Sequence, residues 1–112
     1  MLKSKIHRAT LTGADLHYEG SIAIDTKLLE AADILPNEQV QVLNINTGSR
    51  IITYAIAAEA GSGTVMLNGP AARTGCIGDP VIVLTYTNVA ECDISNHSPK
   101  LVFVDSQNRL KQ

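Results

Sequence analysis

The sequence predicts a small, mainly β domain, and three observations carry that reading. Short runs rich in valine, isoleucine, threonine and tyrosine recur along the chain, clusters of glycine, proline, asparagine and serine separate them, and one segment has helical spacing. At 112 residues the chain has room for one hydrophobic core and not two, so a single domain over residues 1–112 is expected. Strands this short and numerous expose hydrogen-bonding edges, which closure into a barrel or pairing with other chains would hide.

The first expected strands cover residues 5–12 and 18–24. Asp25 or Thr26 can cap a short helix whose apolar face is Leu28, Leu29 and Ala32, and Pro36 forbids its continuation. Strands over 39–44 and 50–57 flank Asn46-Thr47-Gly48-Ser49, a good hairpin connection. Gly61-Ser62-Gly63 precedes a strand over 64–67, and a helical turn over 70–73 has proline at a suitable first-turn position. After Gly78-Asp79-Pro80 come strands over 81–86 and 101–104, with 91–99 read as loop and the polar tail 106–112 read as frayed. Residues 38–44 and 79–85 share acid, Val, Val, Leu at matching positions, a weak internal repeat that suits two related halves.

Composition removes several function classes. A formal net charge of -2 argues against a nucleic-acid surface. The longest apolar stretches, such as Val81-Ile82-Val83-Leu84, fall far below the roughly 20 residues that span a bilayer. No apolar stretch follows Lys3 and Lys5, so the reading is cytoplasmic, with no membrane partner. Cys76 and Cys92 form no CxxC pair and read as buried or idle thiols. Together with His7, His17 and His97 they match no metal-ligand spacing, so no metal is expected.

Four blocks carry more specific information: Lys5-Ile6-His7-Arg8; Ala14-Asp15-Leu16-His17-Tyr18 leading into Glu19-Gly20-Ser21-Ile22; Arg50-Ile51-Ile52-Thr53-Tyr54; and Asn68-Gly69-Pro70-Ala71-Ala72-Arg73. In that order and at those spacings, from about Leu2 to Asp105, the chain resembles the pyruvoyl-dependent aspartate 1-decarboxylases. The resemblance implies a double-psi β-barrel with one or two short helices. It implies self-processing into a β chain of residues 1–20 and an α chain of residues 21–112 with a pyruvoyl group at its start. It implies α-decarboxylation of L-aspartate to β-alanine and CO2 through an imine with that group, supplying pantothenate biosynthesis. A homotetramer with sites between neighbouring subunits is also implied, and in some relatives an acetyltransferase-like maturation factor takes part.

The chemistry explains why such residues are needed. Losing an α-carboxylate leaves an electron pair on Cα, and no ordinary side chain offers an electrophilic carbonyl to accept it. In the implied route the Ser21 hydroxyl attacks the Gly20 carbonyl, and the amide becomes an ester by an N-to-O shift. β-Elimination then frees residues 1–20 as a carboxylate, and hydrolysis of the resulting dehydroalanine releases ammonia and leaves the ketone. Gly20 has no Cβ to obstruct approach to its carbonyl.

Further roles follow from the resemblance. Thr53 would stabilise the oxyanion during processing and touch substrate; on its residue type alone it reads first as a strand threonine. Tyr54 would be the proton donor, since a phenol holds its proton at neutral pH, and otherwise reads as a core aromatic. Lys5 and Arg50 would bind the substrate carboxylates, with Arg50 offering a two-pronged fork. Gly69 and Ala71 would present backbone N–H groups to an anion, with Ala72 in support; Pro70, where many relatives carry alanine, offers none. His7, Tyr18 and Asn68 are supporting candidates. Adjacent Thr53 and Tyr54 should face opposite sides of a regular strand, a tension with a shared site. The alternative reading is a non-catalytic small β-barrel interaction module.

Overall fold

The computed structural model describes residues 1–111. Its strands are β1 (Leu2–Thr10), β2 (Gly13–Asp15), β3 (Ser21–Asp25), β4 (Gln39–Asn44), β5 (Arg50–Ala58), β6 (Val65–Asn68), β7 (Pro80–Tyr86) and β8 (Lys100–Phe103). Helix α1 spans Thr26–Ala32, and 3-10 turns cover Gly69–Thr74 and Glu91–Asn96. The strands bond in the order β2-β6-β3-β5-β4-β7-β1-β8. Three neighbouring pairs, β1 with β8, β2 with β6 and β3 with β5, run parallel, and the others antiparallel.

The core is assembled from the β-branched positions. Ile6, Ile22, Ile24, Val81 and Val83 are fully buried, and Leu28, Leu29 and Ala32 bring the apolar face of α1 against them. Each such isoleucine, valine or leucine side chain contributes roughly 1.5–3 kcal/mol by leaving water. All five residues of β3 are buried, which puts Ser21 in the interior at the first position of its strand. Asp25 caps α1 by accepting from the Lys27 N–H at 2.9 Å. The helix ends because Asp33 adopts a left-handed conformation (φ 56°), three residues before Pro36.

The expected repeat has a structural counterpart: β4 and β7 are antiparallel neighbours, with Val42 opposite Val83 and Leu43 opposite Ile82. The hairpin at 46–49 also forms, closed by the Asn44 N–H on the Ser49 carbonyl at 3.0 Å.

Several expectations need correction. The strand expected from Tyr18 begins only at Ser21, because Asp15 turns the chain: its carboxylate accepts from the His17 N–H (3.1 Å) and its carbonyl from the Tyr18 N–H (3.4 Å). Residues 13–15 form a short strand on β6 that alternation could not reveal. The segment read as loop contains the Glu91–Asn96 turn. The tail is not frayed at Asn108, a buried residue whose amide accepts from the Thr10 N–H and donates to the Thr10 and Gly63 carbonyls, each at 2.8 Å. Gln112 of that tail lies outside the described residues. Cys76 and Cys92 are both free, and both are exposed rather than buried. No helix among the described residues is long and apolar enough to cross a membrane.

Candidate functional site

Strand β5 changes partners halfway. Residues Arg50 to Tyr54 pair with β4, and Ala55 to Ala58 pair with β3, whose ladder with β5 starts at Ile22. The β5 edge ahead of Ala55 therefore borders an open cleft of about 420 Å³ instead of another strand. One wall is Ile51, Ile52, Thr53 and Tyr54; the other is Pro70, Ala71 and Thr74 of the 3-10 turn, and Gly20 lies at the junction. This resolves the tension over Thr53 and Tyr54. Because the cleft runs along the edge of the strand, neighbours that point to opposite faces both border it.

Ser21 sits behind Gly20, buried where Gly20 is exposed. Its Oγ accepts from Asn68 Nδ2 at 3.1 Å and donates to the Glu19 carbonyl at 3.4 Å. Asn68 is itself fully buried, opposite Ser21 in the β3–β6 ladder, and its Oδ1 has no hydrogen-bond partner among the described residues. A buried amide with one unsatisfied oxygen costs stability and is the kind of feature that functional sites retain.

Gly69 closes this arrangement. Its φ is 67°, and a Cβ there would lie 2.8 Å from Gly20 Cα, Gly20 N and the Tyr18 carbonyl oxygen. Only glycine allows the 18–20 segment to pack so tightly on the turn. Gly69 is buried and does not line the cleft, so packing explains it without the expected substrate contact. Ala71 does line the cleft; Ala72 packs partly buried against the core.

The two expected cations are separated from this cleft. Arg50 is exposed at the start of β5, its Nη1 donating to Gln41 Oε1 at 2.6 Å, and it does not line the cleft. Lys5 and His7 lie on β1, which bonds to β7 and β8 and not to β3, β5 or β6. Spaced two apart, they share one side of that strand. His7 packs edge-on against Phe103 with ring centroids 5.8 Å apart, and its Nδ1 is buried without a partner. Burial first, then the charges of Lys5 and Arg8, lowers the His7 pKa below the ordinary imidazole value and favours the neutral ring at pH 7. The Tyr18 side chain is exposed on the turn before Gly20. Among the described residues, none that lines the cleft carries a charge.

Reading residues alone missed Ile51, Ile52 and Thr74 as lining residues, and with them a polar network behind the cleft. Asn44 Nδ2 donates to Asp79 Oδ2 (2.9 Å) and to the Thr74 carbonyl (3.2 Å). The Asn44 side chain, then the Cys76 N–H and the Asn46 side chain, hold the Asp79 carboxyl below the usual carboxylate pKa. Asparagine beside a hairpin reads as turn chemistry, and nothing in one sequence links it to residue 74 or 79.

Comparison with known proteins gives the family and the fold. The chain is 56% identical over 110 residues to aspartate 1-decarboxylase 2 of Gloeobacter violaceus, covering 98% of this chain and 88% of that protein. It is 57% identical over 110 residues to aspartate 1-decarboxylase of Dehalococcoides mccartyi, covering 98% and 89%. With that of Thermoanaerobacter pseudethanolicus it shares 55% over 109 residues, covering 97% and 93%. Among solved structures, the rationally designed protein mkDPBB_sym_86 superposes with a TM-score of 0.51 at 14% identity, over 73% of this chain and 95% of that one. That likeness concerns the fold alone, and the fold is a double-psi β-barrel. The sequence model described as aspartate decarboxylase matches residues 1–111, so this chain belongs to the aspartate decarboxylase family.

Proposed function

We propose that this chain removes the α-carboxylate of L-aspartate, giving β-alanine and CO2, after cutting itself between Gly20 and Ser21. Family membership supports the reaction. The observation that carries the site is the buried Ser21 Oγ, held by Asn68 Nδ2 at 3.1 Å directly behind the exposed Gly20 at the cleft.

In the cut, Ser21 Oγ bonds to the Gly20 carbonyl carbon, its proton passes to the Ser21 nitrogen, and the Gly20–Ser21 C–N bond breaks to leave an ester. Loss of the Ser21 Cα proton with cleavage of the Cβ–Oγ bond then frees residues 1–20 as a carboxylate. Water hydrolyses the remaining dehydroalanine to the ketone with release of ammonia. Asn68 and the Glu19 carbonyl orient the hydroxyl. Thr53 donates to the developing oxyanion, an interaction whose loss typically costs about 3 kcal/mol.

The surroundings of Ser21 suit a pyruvoyl group made from that serine, since the ketone oxygen of such a group only accepts hydrogen bonds and the buried Asn68 Nδ2, 3.1 Å from Ser21 Oγ, is a donor beside it. Such a group supplies the electrophilic carbonyl that accepts the electron pair left when CO2 departs. Tyr54 returns a proton to the carbon that lost CO2.

A dicarboxylate requires fixed positive charge, and the lining of the cleft has none. Arg50, at the end of the same strand, is one source once its guanidinium leaves Gln41. Lys5, on a strand that does not border the cleft, is supplied by a neighbouring copy, which supports a homotetramer with shared sites. Exposed apolar side chains such as Ile52, Leu101 and Phe103 give neighbouring copies something to cover. Two free, exposed thiols suit the reducing cytoplasm, where a maturation factor would act if the cut is assisted.

The test uses aspartate carrying a carbon label in its α-carboxylate. Labelled CO2 with unlabelled β-alanine supports the proposal. Labelled alanine, or no CO2 from fully cut protein, would overturn it.

A further inference from the structure

The two walls of the cleft come from segments distant in sequence, and one buried side chain bonds to both of their supports. Asn44, only 4% exposed, ends β4. Its Oδ1 accepts from the Asn46 N–H (2.9 Å) and the Thr47 N–H (3.1 Å), fixing the hairpin that delivers β5. Its Nδ2 donates to the Thr74 carbonyl (3.2 Å), and Thr74 is the last residue of the opposite wall. The same Nδ2 donates to Asp79 Oδ2, while Asp79 Oδ1 accepts from Asn46 Nδ2 at 2.9 Å. All four hydrogen-bonding positions of the amide are thus used, two toward each wall's support.

The neighbouring residue makes room for this bridge. A Cβ on Gly75 would lie 2.9 Å from Asn44 Nδ2 and 2.7 Å from Leu11 Cδ1, so the absent side chain lets the amide reach Thr74. Thr74 passes the constraint inward, its Oγ1 donating to the Ala71 carbonyl at 2.6 Å. Neither Asn44 nor Asp79 lines the cleft.

We propose that Asn44 is a positioning residue that sets the gap between the Thr53–Tyr54 wall and the 70–74 wall, with Asp79 holding its amide in register. The role in turnover rests on the proposed aspartate decarboxylation, whereas the effect on the walls does not. A displacement of about 1 Å in a reacting geometry costs up to about a hundredfold in rate, so a residue outside the cleft can govern it.

Asn44→Asp keeps the acceptor toward the hairpin but puts a carboxylate against Asp79 and the Thr74 carbonyl. The double variant Asn44→Asp with Asp79→Asn restores a donor–acceptor pair between residues 44 and 79 and leaves the Thr74 carbonyl without its donor. For Asn44→Asp, amide hydrogen exchange should rise about tenfold or more over 70–75, and KM for aspartate about tenfold, with kcat changing less. The double variant should recover stability but keep the raised exchange over 70–75 and the raised KM, and exchange over 22–24 should stay at the parent level. Unchanged exchange over 70–75 in a folded Asn44→Asp chain would overturn the proposal, as would an unchanged KM beside normal parent turnover. If Asn44→Asp does not fold, the double variant decides: parent-level exchange over 70–75 with recovered stability also overturns it. A parent chain inactive on aspartate contradicts the functional reading, while the exchange comparison still decides the role of Asn44.

Discussion

Ser21 and Tyr54 are proposed to serve different steps, and single substitutions separate them. Asn68→Ala removes the donor to Ser21 Oγ, so cutting should slow by about 10- to 100-fold, followed as the loss of intact chain with time. Tyr54→Phe keeps the ring on the cleft wall and removes only the hydroxyl. That variant should cut at the parent rate and lose most turnover. A normal cutting rate in Asn68→Ala, or full turnover in Tyr54→Phe, would remove that residue from its proposed role. Gly20, Thr53, Tyr54 and Ala71 were singled out in the sequence by the family resemblance of the blocks that hold them. What residues could not convey is which of them meet: the cleft collects Gly20, Thr53, Tyr54 and Ala71 but leaves Lys5 on another strand, because strand order is a property of the fold.

At the scale of elements, Asp25 ties several together. Besides capping α1, its carboxylate accepts from the Gly61 N–H (3.0 Å) and the Gly63 N–H (2.9 Å), anchoring the loop that leads into β6. Burial raises its pKa, but the N–H groups of Gly63, Lys27 and Gly61, with Arg109 nearby, outweigh that and leave it lowered. A carboxylate with a folded pKa below its unfolded value of about 4 stabilises the fold above that value and stops doing so as pH falls through the folded one. Asp25→Asn should therefore cost about 1–3 kcal/mol at pH 7, and the gap to the parent should narrow towards pH 3. Thermal unfolding of both chains at the two pH values checks this, and an equal gap at both would contradict it. Asp79 and Asp105 are lowered too, so both chains still weaken in acid. The cap was readable from Asp25 preceding an apolar helical face. The anchored loop was not, because its N–H groups come from 36 and 38 residues away. Nor was the Asn108 latch, whose partner Thr10 lies 98 residues away.

At the scale of the whole molecule, the separation of Lys5 from the cleft bears on assembly. If a site takes Lys5 from one copy and Tyr54 from another, chains bearing Lys5→Ala and chains bearing Tyr54→Phe should be inactive alone. Co-assembled, they should recover about a quarter of the parent activity, the share of sites that draw both native residues at random. No recovery in demonstrably mixed assemblies would put both residues in one subunit's site. The barrel itself was legible as many short β-branched runs between breakers, but its strand order was not, since parallel pairs such as β3 with β5 join segments that no local pattern connects.

The central claim is that Ser21 is both the agent of the cut and the source of the reactive carbonyl. Intact mass under denaturing conditions, compared between the parent and Ser21→Ala, tests it most directly. The account predicts that the parent separates into residues 1–20 and a 21–112 chain that borohydride reduces, while Ser21→Ala stays whole. A Ser21→Ala chain cut at the same bond, or a parent that decarboxylates aspartate while uncut, would contradict it.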